Sequence, residues 1–270
     1  MTPLYEPVLI EVRNATAATG DGNNTYLMAP AGTPACLIDA GIGDAVHLDR
    51  LADQLRLRQS SLADVLVTHG HVDHSSGAPA LASRFGPLRF SKHRSPSLDL
   101  DGVEWRHVED GARLQVAGTE LVALHTPGHA PDHLAFWHES SRTVFTGDLV
   151  HGLTSVAIIY SRGGSLTAYL ASLERLLTLE PARLLPGHGP AIDDPPRVLR
   201  TTIAHRRMRE EQVRAAVAAG VDTVQSITDS IYHGLTRGLM GLARENVRAH
   251  LEKLRIDGDV AVDRDRWRLV

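Results

Sequence analysis

The stretch DVLVTHGHVDH, residues 64–74, joins a short apolar run to a group of histidine and aspartate side chains. The run DVLVT is typical of a buried strand, and the glycine after it permits a sharp turn. Side chains two residues apart in an extended segment point the same way, so His69 and His71 can share one metal ion. Asp73 falls on the same alternation, but the turn lets it move with His74 towards a second ion. The stretch therefore predicts a metal site at the end of a strand.

The same arrangement, a strand-like run that ends in a histidine or aspartate beside glycine, recurs three times. LVALHTPGH ends in His129, TVFTGD in Asp148 and ARLLPGH in His188. Because strand ends are rigid, such positions can converge on one rim of a sheet. With the first stretch they offer seven nitrogen and oxygen ligands, which suit divalent ions of borderline softness, most simply zinc. We therefore expect two Zn²⁺ ions per chain.

The composition is that of an ordinary globular protein, with 43% hydrophobic and 22% charged residues. The net charge of −4 gives no attraction to nucleic acid or to an anionic membrane. No apolar run reaches the roughly 18 residues of a membrane helix. The start MTPLYEPVLIEVR lacks the regions of a secretory signal, so we expect a cytoplasmic protein with no membrane partner. Cys36, the single cysteine, excludes an intramolecular disulfide and is expected to be a small core residue.

Short apolar runs bounded by Gly, Pro, Asn and Asp fill most of the chain from Pro7 to about Pro190, and they are typical of strands. Two helices are predicted among them, one capped by Asp44 and one by Ser165. The candidate strands are PVLIEV, NTYLMA, ACLID, DVLVT, LRF, VEW, ARLQV, ELVALH, HLAFWH, TVFTGD and ARLLP.

The chain changes character after the proline-rich DDPPR, residues 193–197. The later residues are typical of helices, and the end, DVAVDRDRWRLV, is typical of a small hairpin. Three helices and a hairpin are the outline of a winged-helix module. We therefore predict a metal-binding domain at residues 1–196 and a winged-helix-like helical domain at residues 197–270.

The motifs THGHVDHSSG, TPGH, TGD and PGHG, in that order, resemble those of the metallo-β-lactamase superfamily. The resemblance covers roughly residues 7–192. It implies an α/β (α+β) fold, the αββα sandwich, in which two mixed sheets pack face to face with helices outside. It also implies a ligand set: His69, His71 and His129 for the first ion, Asp73, His74 and His188 for the second, and Asp148 as the bridge.

The resemblance also narrows the branch. The common class of zinc β-lactamases has a cysteine at the position of Asp148, so antibiotic hydrolysis is not expected here. The tail HRRMREEQVRAAV…NVRAHLEKLRIDGDV, with PGHGP before it, resembles the lactamase-β-like-2 branch, in which the same core carries a winged-helix-like tail. That branch includes a single-strand endoribonuclease and fungal thioesterases that release polyketides from carrier protein.

Three residues near the ligands are candidates for supporting or substrate-contacting roles. Asp39, in LIDAG, resembles a family aspartate that orients metal-bound imidazoles from behind. His133 and His151 follow two of the ligands closely, and either could contact substrate or donate a proton to a leaving group. An ordinary surface histidine is the alternative for both.

These features predict a dinuclear zinc-dependent hydrolase in which metal-bound hydroxide attacks a thioester, ester or lactone. Asp73 is the candidate catalytic residue, because it can bind the second ion and orient the hydroxide. The substrate would be a small molecule or an acyl group on a carrier protein.

Two alternatives stay open. One is a metal-dependent endoribonuclease acting on single strands, which the slightly acidic pI of 6.4 disfavours and which would make RNA a partner. The other is a DNA-binding regulator with a vestigial metal site, which the complete ligand set disfavours. The tail is expected to form a wall of the cleft and, since the ligands are complete by His188, not to be needed for metal. The oligomeric state is open.

Overall fold

Two β-sheets packed face to face form the larger part of the molecule. The computed structural model describes residues 6–15, 22–95, 99–100, 102–151 and 155–270. The first sheet has six strands in chain order: β1 (Val8–Val12), β2 (Asn23–Met28), β3 (Ala35–Ile38), β4 (Leu62–Leu66), β5 (Arg89–Lys92) and β6 (Trp105–His107). The second has five in the spatial order β11–β10–β9–β8–β7: β7 (Arg113–Val116), β8 (Thr119–His125), β9 (Leu134–His138), β10 (Thr143–Gly147) and β11 (Arg183–Pro186).

Parallel pairing in both sheets brings strand ends together at one rim. Strands β3 to β6 pair parallel, as do β10 and β11, whereas the remaining neighbours are antiparallel. Parallel neighbours need crossover connections, and helices supply three of them: α1 (Ala45–Leu57), α2 (Val72–Ser75) with α3 (Ala78–Phe85), and α4 (Leu166–Thr178). The loops that follow β4, β10 and β11 therefore begin at this rim, at positions that the strand pairing holds fixed.

Three hydrophobic layers confirm the predicted αββα sandwich. Between the sheets lie Tyr26, Met28, Ile38, Leu121, Phe136, Phe145 and other buried residues, among them Cys36, which is fully buried as predicted. Outside the first sheet, Leu27, Leu37 and Val65 pack against Leu51, Leu55 and Leu81 of the helices. Outside the second sheet, Leu124, Val144 and Leu184 pack against Tyr169, Leu173 and Leu176.

Both predicted helix starts are confirmed. Asp44 caps α1 by accepting from the His47 N–H, and Ser165 caps α4 by accepting from the Ala168 N–H. The sequence does not predict helices α2 and α3, because they are short and Gly77 separates them. Within the described ranges, every helix falls short of the length and apolar character needed to cross a membrane.

The C-terminal part has the predicted three helices and hairpin: α5 (Pro195–Ala218), α6 (Val224–Ile231), α7 (Met240–Asp257), β12 (Val260–Asp263) and β13 (Arg266–Leu269). It has a small core of its own. That core contains Val213, Val217, Ile227, Val247, Leu251, Leu254, Val260 and Trp267. This is the winged-helix arrangement.

Helix α5 belongs to both parts of the molecule. Leu199 and Ile203 near its start pack in the layer outside the second sheet, whereas its far end packs in the C-terminal core. Asp194 caps the helix, and proline suits its first turn because that turn needs no backbone N–H. The proline-rich stretch 193–197 thus begins a helix, and the point at which the chain divides into domains stays a prediction.

Candidate metal centre

The seven predicted ligands meet at the rim where the strands end. His69 and His71 follow β4, Asp73 and His74 lie on α2, His129 follows β8, Asp148 follows β10 directly, and His188 follows β11. The ligand atoms of His69, His71 and His129 lie within 4.8 Å of one another, as do those of Asp73, His74 and His188. We call these the first cluster and the second cluster.

In the first cluster, three ring nitrogens face one another. The Nδ1 atom of His71 lies 2.9 Å from Nε2 of His69 and 2.9 Å from Nε2 of His129. Three nitrogens bound to one tetrahedral zinc ion, each at about 2.0–2.1 Å, lie about 3.3 Å apart. The spacing is therefore close to that of a zinc site with three histidines.

Hydrogen bonds behind two of these rings fix their tautomers. The Thr68 hydroxyl donates to Asp39 at 3.0 Å, so it accepts from Nδ1 of His69, also at 3.0 Å. Nδ1 of His129 donates to the Ala157 carbonyl oxygen at 2.9 Å. Both inward nitrogens therefore carry lone pairs. Since the facing nitrogen of the third ring can donate only one proton, a bound cation fits this cluster.

In the second cluster, Nε2 of His188 lies 3.3 Å from the Asp73 carboxylate, and Nε2 of His74 lies 3.6 Å from it. Their outer nitrogens are again occupied: His74 donates to Asp39 at 2.8 Å and His188 to the Gly22 carbonyl at 2.9 Å. The inward nitrogen of His74 is buried and has no hydrogen-bond partner among the described residues. A metal ion is the partner that this donor set suits.

Asp148 lies between the clusters with one oxygen towards each. Its Oδ2 atom is 3.6 Å from Nε2 of His129, whereas Oδ1 is 3.3 Å from Nε2 of His74 and 3.4 Å from Nε2 of His188. Gly187 makes room for it, because a Cβ atom there would lie 2.6 Å from Oδ1. A carboxylate placed in this way can bridge two ions.

A family model of the metallo-beta-lactamase superfamily matches residues 18–188. The chain belongs to this superfamily. A second family model, the beta-lactamase associated winged helix domain, matches residues 223–267. The two matches confirm the family resemblance and the winged helix that the motifs predicted.

Relatives agree with this assignment. A beta-lactamase-like protein 2 homolog from Drosophila melanogaster is 28% identical over 93% of this chain and 88% of its own length. An atrochrysone carboxyl ACP thioesterase from Claviceps purpurea is 32% identical over 76% of this chain and 63% of its own length. The crystal structure of a metallo-beta-lactamase family protein from Thermus thermophilus has the same fold, with a TM-score of 0.80 over 98% of both chains at 22% identity. The chain is a hydrolase of the superfamily, whose members typically bind divalent metal ions.

The surroundings of the first cluster keep its three imidazole rings neutral in the metal-free protein. Burial, with the neighbouring histidines, lowers the pKa of His69 well below its ordinary value and also lowers the pKa of His71. Burial lowers the pKa of His129 to about 4, although Asp148 opposes this. Neutral imidazole is the form that binds metal.

The second cluster has the opposite bias in the metal-free protein. Burial acts to lower the pKa of His74, but Asp148 and Asp39 outweigh it and raise that pKa well above its ordinary value. Burial is likewise outweighed at His188, whose pKa hydrogen bonds to Asp148 and Asp73 raise to about 10. A metal ion must displace these protons.

Asp39 lies behind both clusters. Its carboxylate accepts from the Thr68 N–H at 2.7 Å, from the Thr68 hydroxyl at 3.0 Å and from Nδ1 of His74 at 2.8 Å. It adopts a left-handed backbone conformation, with φ of 64°, which costs energy for a residue other than glycine. Its position is that of the supporting aspartate which the sequence predicts.

His133 does not fit the predicted contact with substrate or the predicted proton donation. It is fully buried, its Nδ1 donates to the Thr126 hydroxyl at 2.9 Å, and its Nε2 accepts from the Asp148 N–H at 3.1 Å. Both ring nitrogens are used, so His133 holds the backbone of the bridging aspartate. Its burial also excludes the alternative of an ordinary surface histidine.

His151 lies inside the site. Its Nε2 is 3.5 Å from the Asp148 carboxylate, and its ring centre is 4.9 Å from that of His188. Its ligand atom belongs to a further possible group with Asp148 and His188, beside the group that His69, His74 and Asp148 form. The sequence predicts that His151 lies near the site. It does not predict His151 as an eighth possible metal ligand.

The sequence does not predict one support of the first cluster, the ion pair of Asp132 and Lys92. The Asp132 carboxylate accepts from the Gly70 N–H at 3.0 Å and pairs with the buried Lys92 ammonium at 3.3 Å. Gly70 lies between His69 and His71, so this ion pair fixes the loop that carries both. A signal existed, since Lys92 is one of only two lysines among 28 basic residues.

A cleft of about 230 Å³ opens beside the site, between the loop after β10 and helix α5. Val150, Val156 and Tyr169 give it an apolar side, and Thr202 and His205 a polar one. Burial, together with the nearby Arg206 and Arg209, lowers the pKa of His205, so its imidazole is neutral at pH 7. The cleft suits an uncharged group.

Proposed function

We propose that this hydrolase uses two zinc ions to cleave a thioester, ester or lactone, in a small molecule or on an acyl-carrier protein. The observation that carries the proposal is the position of Asp148, which presents one carboxylate oxygen to each cluster. His69, His71 and His129 would hold one ion, and Asp73, His74 and His188 the other. Zinc bound there would supply Lewis acidity and lower the pKa of a coordinated water to about 7.

Asp73 is the carboxylate best placed to handle a proton. Its side chain is 23% exposed, against 8% for Asp148 and 3% for Asp39. Burial acts to raise its pKa, but the hydrogen bond to His188 together with the charges of His74 and His188 outweighs burial and lowers the pKa. It is therefore ionised at neutral pH and reachable by water, which it can orient towards a substrate carbonyl.

No protein nucleophile is required. Burial raises the pKa of the Cys36 thiol well above its ordinary value, and the residue lies in the core between the sheets. We therefore expect direct attack by water and no covalent acyl-enzyme.

Two features favour an acyl substrate over RNA. The described residues that line the cleft beside the site include no arginine or lysine, whereas a phosphodiester chain is bound by positive charge. In the C-terminal part, Lys253 pairs with Glu210, Arg255 with Glu252 and Arg266 with Asp222. The Claviceps relative, named as an acyl-carrier thioesterase, supports the same choice.

Metal analysis and a substrate panel test the proposal. Protein purified without chelator should contain close to two zinc ions per chain and should hydrolyse model thioesters, esters or lactones but not single-stranded RNA. Two bound iron ions would replace zinc in the proposal. RNA cleavage without ester cleavage would overturn the substrate class, and a metal content near zero would overturn the site.

Filling the cleft tests where the acyl group binds. Thr202→Trp should raise KM for the best acyl substrate and leave the metal content unchanged, because Thr202 lines the cleft and is not a ligand. Met208→Trp, at a 47% exposed position on the same helix, is the control and should behave as wild type. Equal KM values for the two variants would rule out this cleft.

A further inference from the structure

The segment Val156–Ile158 connects a ligand of the first cluster to the C-terminal part of the molecule. Its middle residue, Ala157, supplies the carbonyl oxygen that accepts from Nδ1 of His129 at 2.9 Å. That hydrogen bond leaves the lone pair on Nε2, which faces the cluster. The position of one backbone carbonyl thus sets both the tautomer and the orientation of His129.

The peptide groups on both sides of Ala157 are bound by residues of α5 and α7. Arg206 Nη2, on α5, donates to the Val156 carbonyl oxygen. The Asn246 Oδ1 atom, on α7, accepts from the Ile158 N–H at 3.2 Å and from Arg206 Nη1 at 3.2 Å. Arg206 and Asn246 are therefore hydrogen-bonded to each other and to the peptide groups on both sides of Ala157.

Further contacts fix the side chains of Arg206 and Asn246. Nδ2 of Asn246 donates to the Leu242 carbonyl in its own helix at 3.0 Å, which sets the direction of its Oδ1. Arg206 is 3% exposed and lies over the Tyr169 ring, 5.3 Å from its centre. The Tyr169 hydroxyl donates to the Leu149 carbonyl at 2.8 Å, next to the bridging aspartate. Arg206 and Asn246 have little freedom to move independently.

Other ligand histidines take their outer hydrogen bonds from the sandwich. His69 is bound by Thr68, His74 by Asp39 and His188 by the Gly22 carbonyl. These three partners lie in or beside the first sheet, far along the chain from α5 and α7. Of the four outer partners, Ala157 is the one whose neighbours are held by the C-terminal helices.

We propose that Arg206 and Asn246 are positioning residues for His129, so that the first cluster reaches full metal affinity only with α5 and α7 docked. The inference rests on the proposed metal site. It differs from the expectation that residues 197–270 are not needed for metal, because the sequence does not show that α7 reaches the segment behind a ligand. The C-terminal part then acts on metal binding as well as on the cleft.

Zinc affinity of the full chain tests the proposal through Asn246→Ala. This variant removes the acceptor of the Ile158 N–H and the partner of Arg206. We expect one of the two zinc ions to bind up to about 10-fold more weakly, the low end of the cost of losing an outer hydrogen-bond partner, because the variant loosens the Ala157 carbonyl without removing it. The other ion should keep its wild-type affinity. Competition with a chromophoric chelator measures both.

Two further variants separate positioning from a general loss of packing. Glu245→Ala is the matched control, because Glu245 lies next to Asn246 on α7 and accepts from the Ser161 N–H at 2.9 Å, beyond the segment. It should bind zinc as wild type does. Asn246→Asp retains an acceptor oxygen for the Ile158 N–H and for Arg206 but loses the donation to the Leu242 carbonyl, so it should recover part of the affinity that Asn246→Ala loses. The His129 Nδ1–H proton, assigned by NMR with His129→Gln, should exchange faster with solvent in Asn246→Ala.

The outcomes are distinct. If the wild type binds fewer than two ions, the proposed function fails. If it binds two and Asn246→Ala binds both as tightly, the positioning role is overturned. Equal losses at both ions, or in Glu245→Ala as well, would also overturn it.

Discussion

The two metal clusters differ in composition and in charge. In the metal-free protein, burial keeps the pKa of His129 at about 4, whereas carboxylates raise that of His188 to about 10. The first cluster has three imidazoles, whereas the second has two imidazoles and the Asp73 carboxylate and lies against Asp39. The carboxylates around each imidazole, including the ligands Asp73 and Asp148, therefore set which imidazoles are ready to bind a metal ion at neutral pH.

The clusters also differ in what holds them. His74 in the second cluster donates to a buried carboxylate, whereas His129 in the first donates to a backbone carbonyl of a loop. A carboxylate behind an imidazole makes it a stronger ligand. A carbonyl adds less charge, and its usefulness depends on how firmly the loop is held. His188 in the second cluster also donates to a carbonyl, that of Gly22, but the carbonyl behind His129 belongs to the segment held by α5 and α7. The first ion is accordingly the one exposed to changes in those two helices.

The largest effect is expected where the clusters meet. Asp148→Asn keeps the volume of the bridging side chain but removes its charge. Both ions should bind more than about 100-fold more weakly, beyond the cost of losing an outer partner, and hydrolysis should fall with them. Metal content after dialysis and turnover of the best acyl substrate measure this. Asp53→Asn, at an exposed position, is the control. One tightly retained ion with full activity would contradict a bridging role.

Two variants with smaller effects should distinguish the clusters, because each should weaken mainly a different ion. Asp39→Asn weakens the direct partner of His74 and reaches His69 only through Thr68, so the second ion should lose about 10–100-fold in affinity and the first ion less. Thr68→Val removes the hydroxyl behind His69 but leaves its own N–H for Asp39, so the first ion should lose more than the second. Chelator competition on the two variants reports both affinities. If both variants weaken the same ion, the division into two clusters is wrong.

The sequence predicts this site well wherever the signal is local. The runs that end in His69, Asp148 and His188 combine strand pattern, glycine and ligand within a few residues, and the fold brings them together as expected. The caps at Asp44 and Ser165 are equally local and are confirmed.

What the sequence does not predict depends on contacts between distant segments. The role of His133 depends on Asp148, 15 residues on, and on its burial. Asn246 lies 88 residues from Ile158, whose N–H it accepts. Neither pairing has a spacing rule, because tertiary packing alone brings the partners together. Helix α5 begins at the proline-rich stretch 193–197, where the sequence predicts the change to helical residues, but it packs in both cores, so the domain boundary stays a prediction.

The smallest predicted effect is a difference in charge between two histidines of the metal-free protein. At pH 7, His129 should be neutral and His188 protonated, as their pKa values of about 4 and about 10 require.

The raised pKa of His188 means that its proton stabilises the fold below the unfolded value of about 6.5, and that this stability is lost as the pH rises through about 10. The lowered pKa of His129 has the opposite sign, with stability lost as the pH falls from about 6.5 towards 4. NMR titration of the imidazole nitrogens after chelation measures both values. Zinc affinity of the second cluster should consequently increase between pH 7 and 10, whereas that of the first should not. Two histidines that titrate together near pH 6.5 would show that the clusters do not differ in charge.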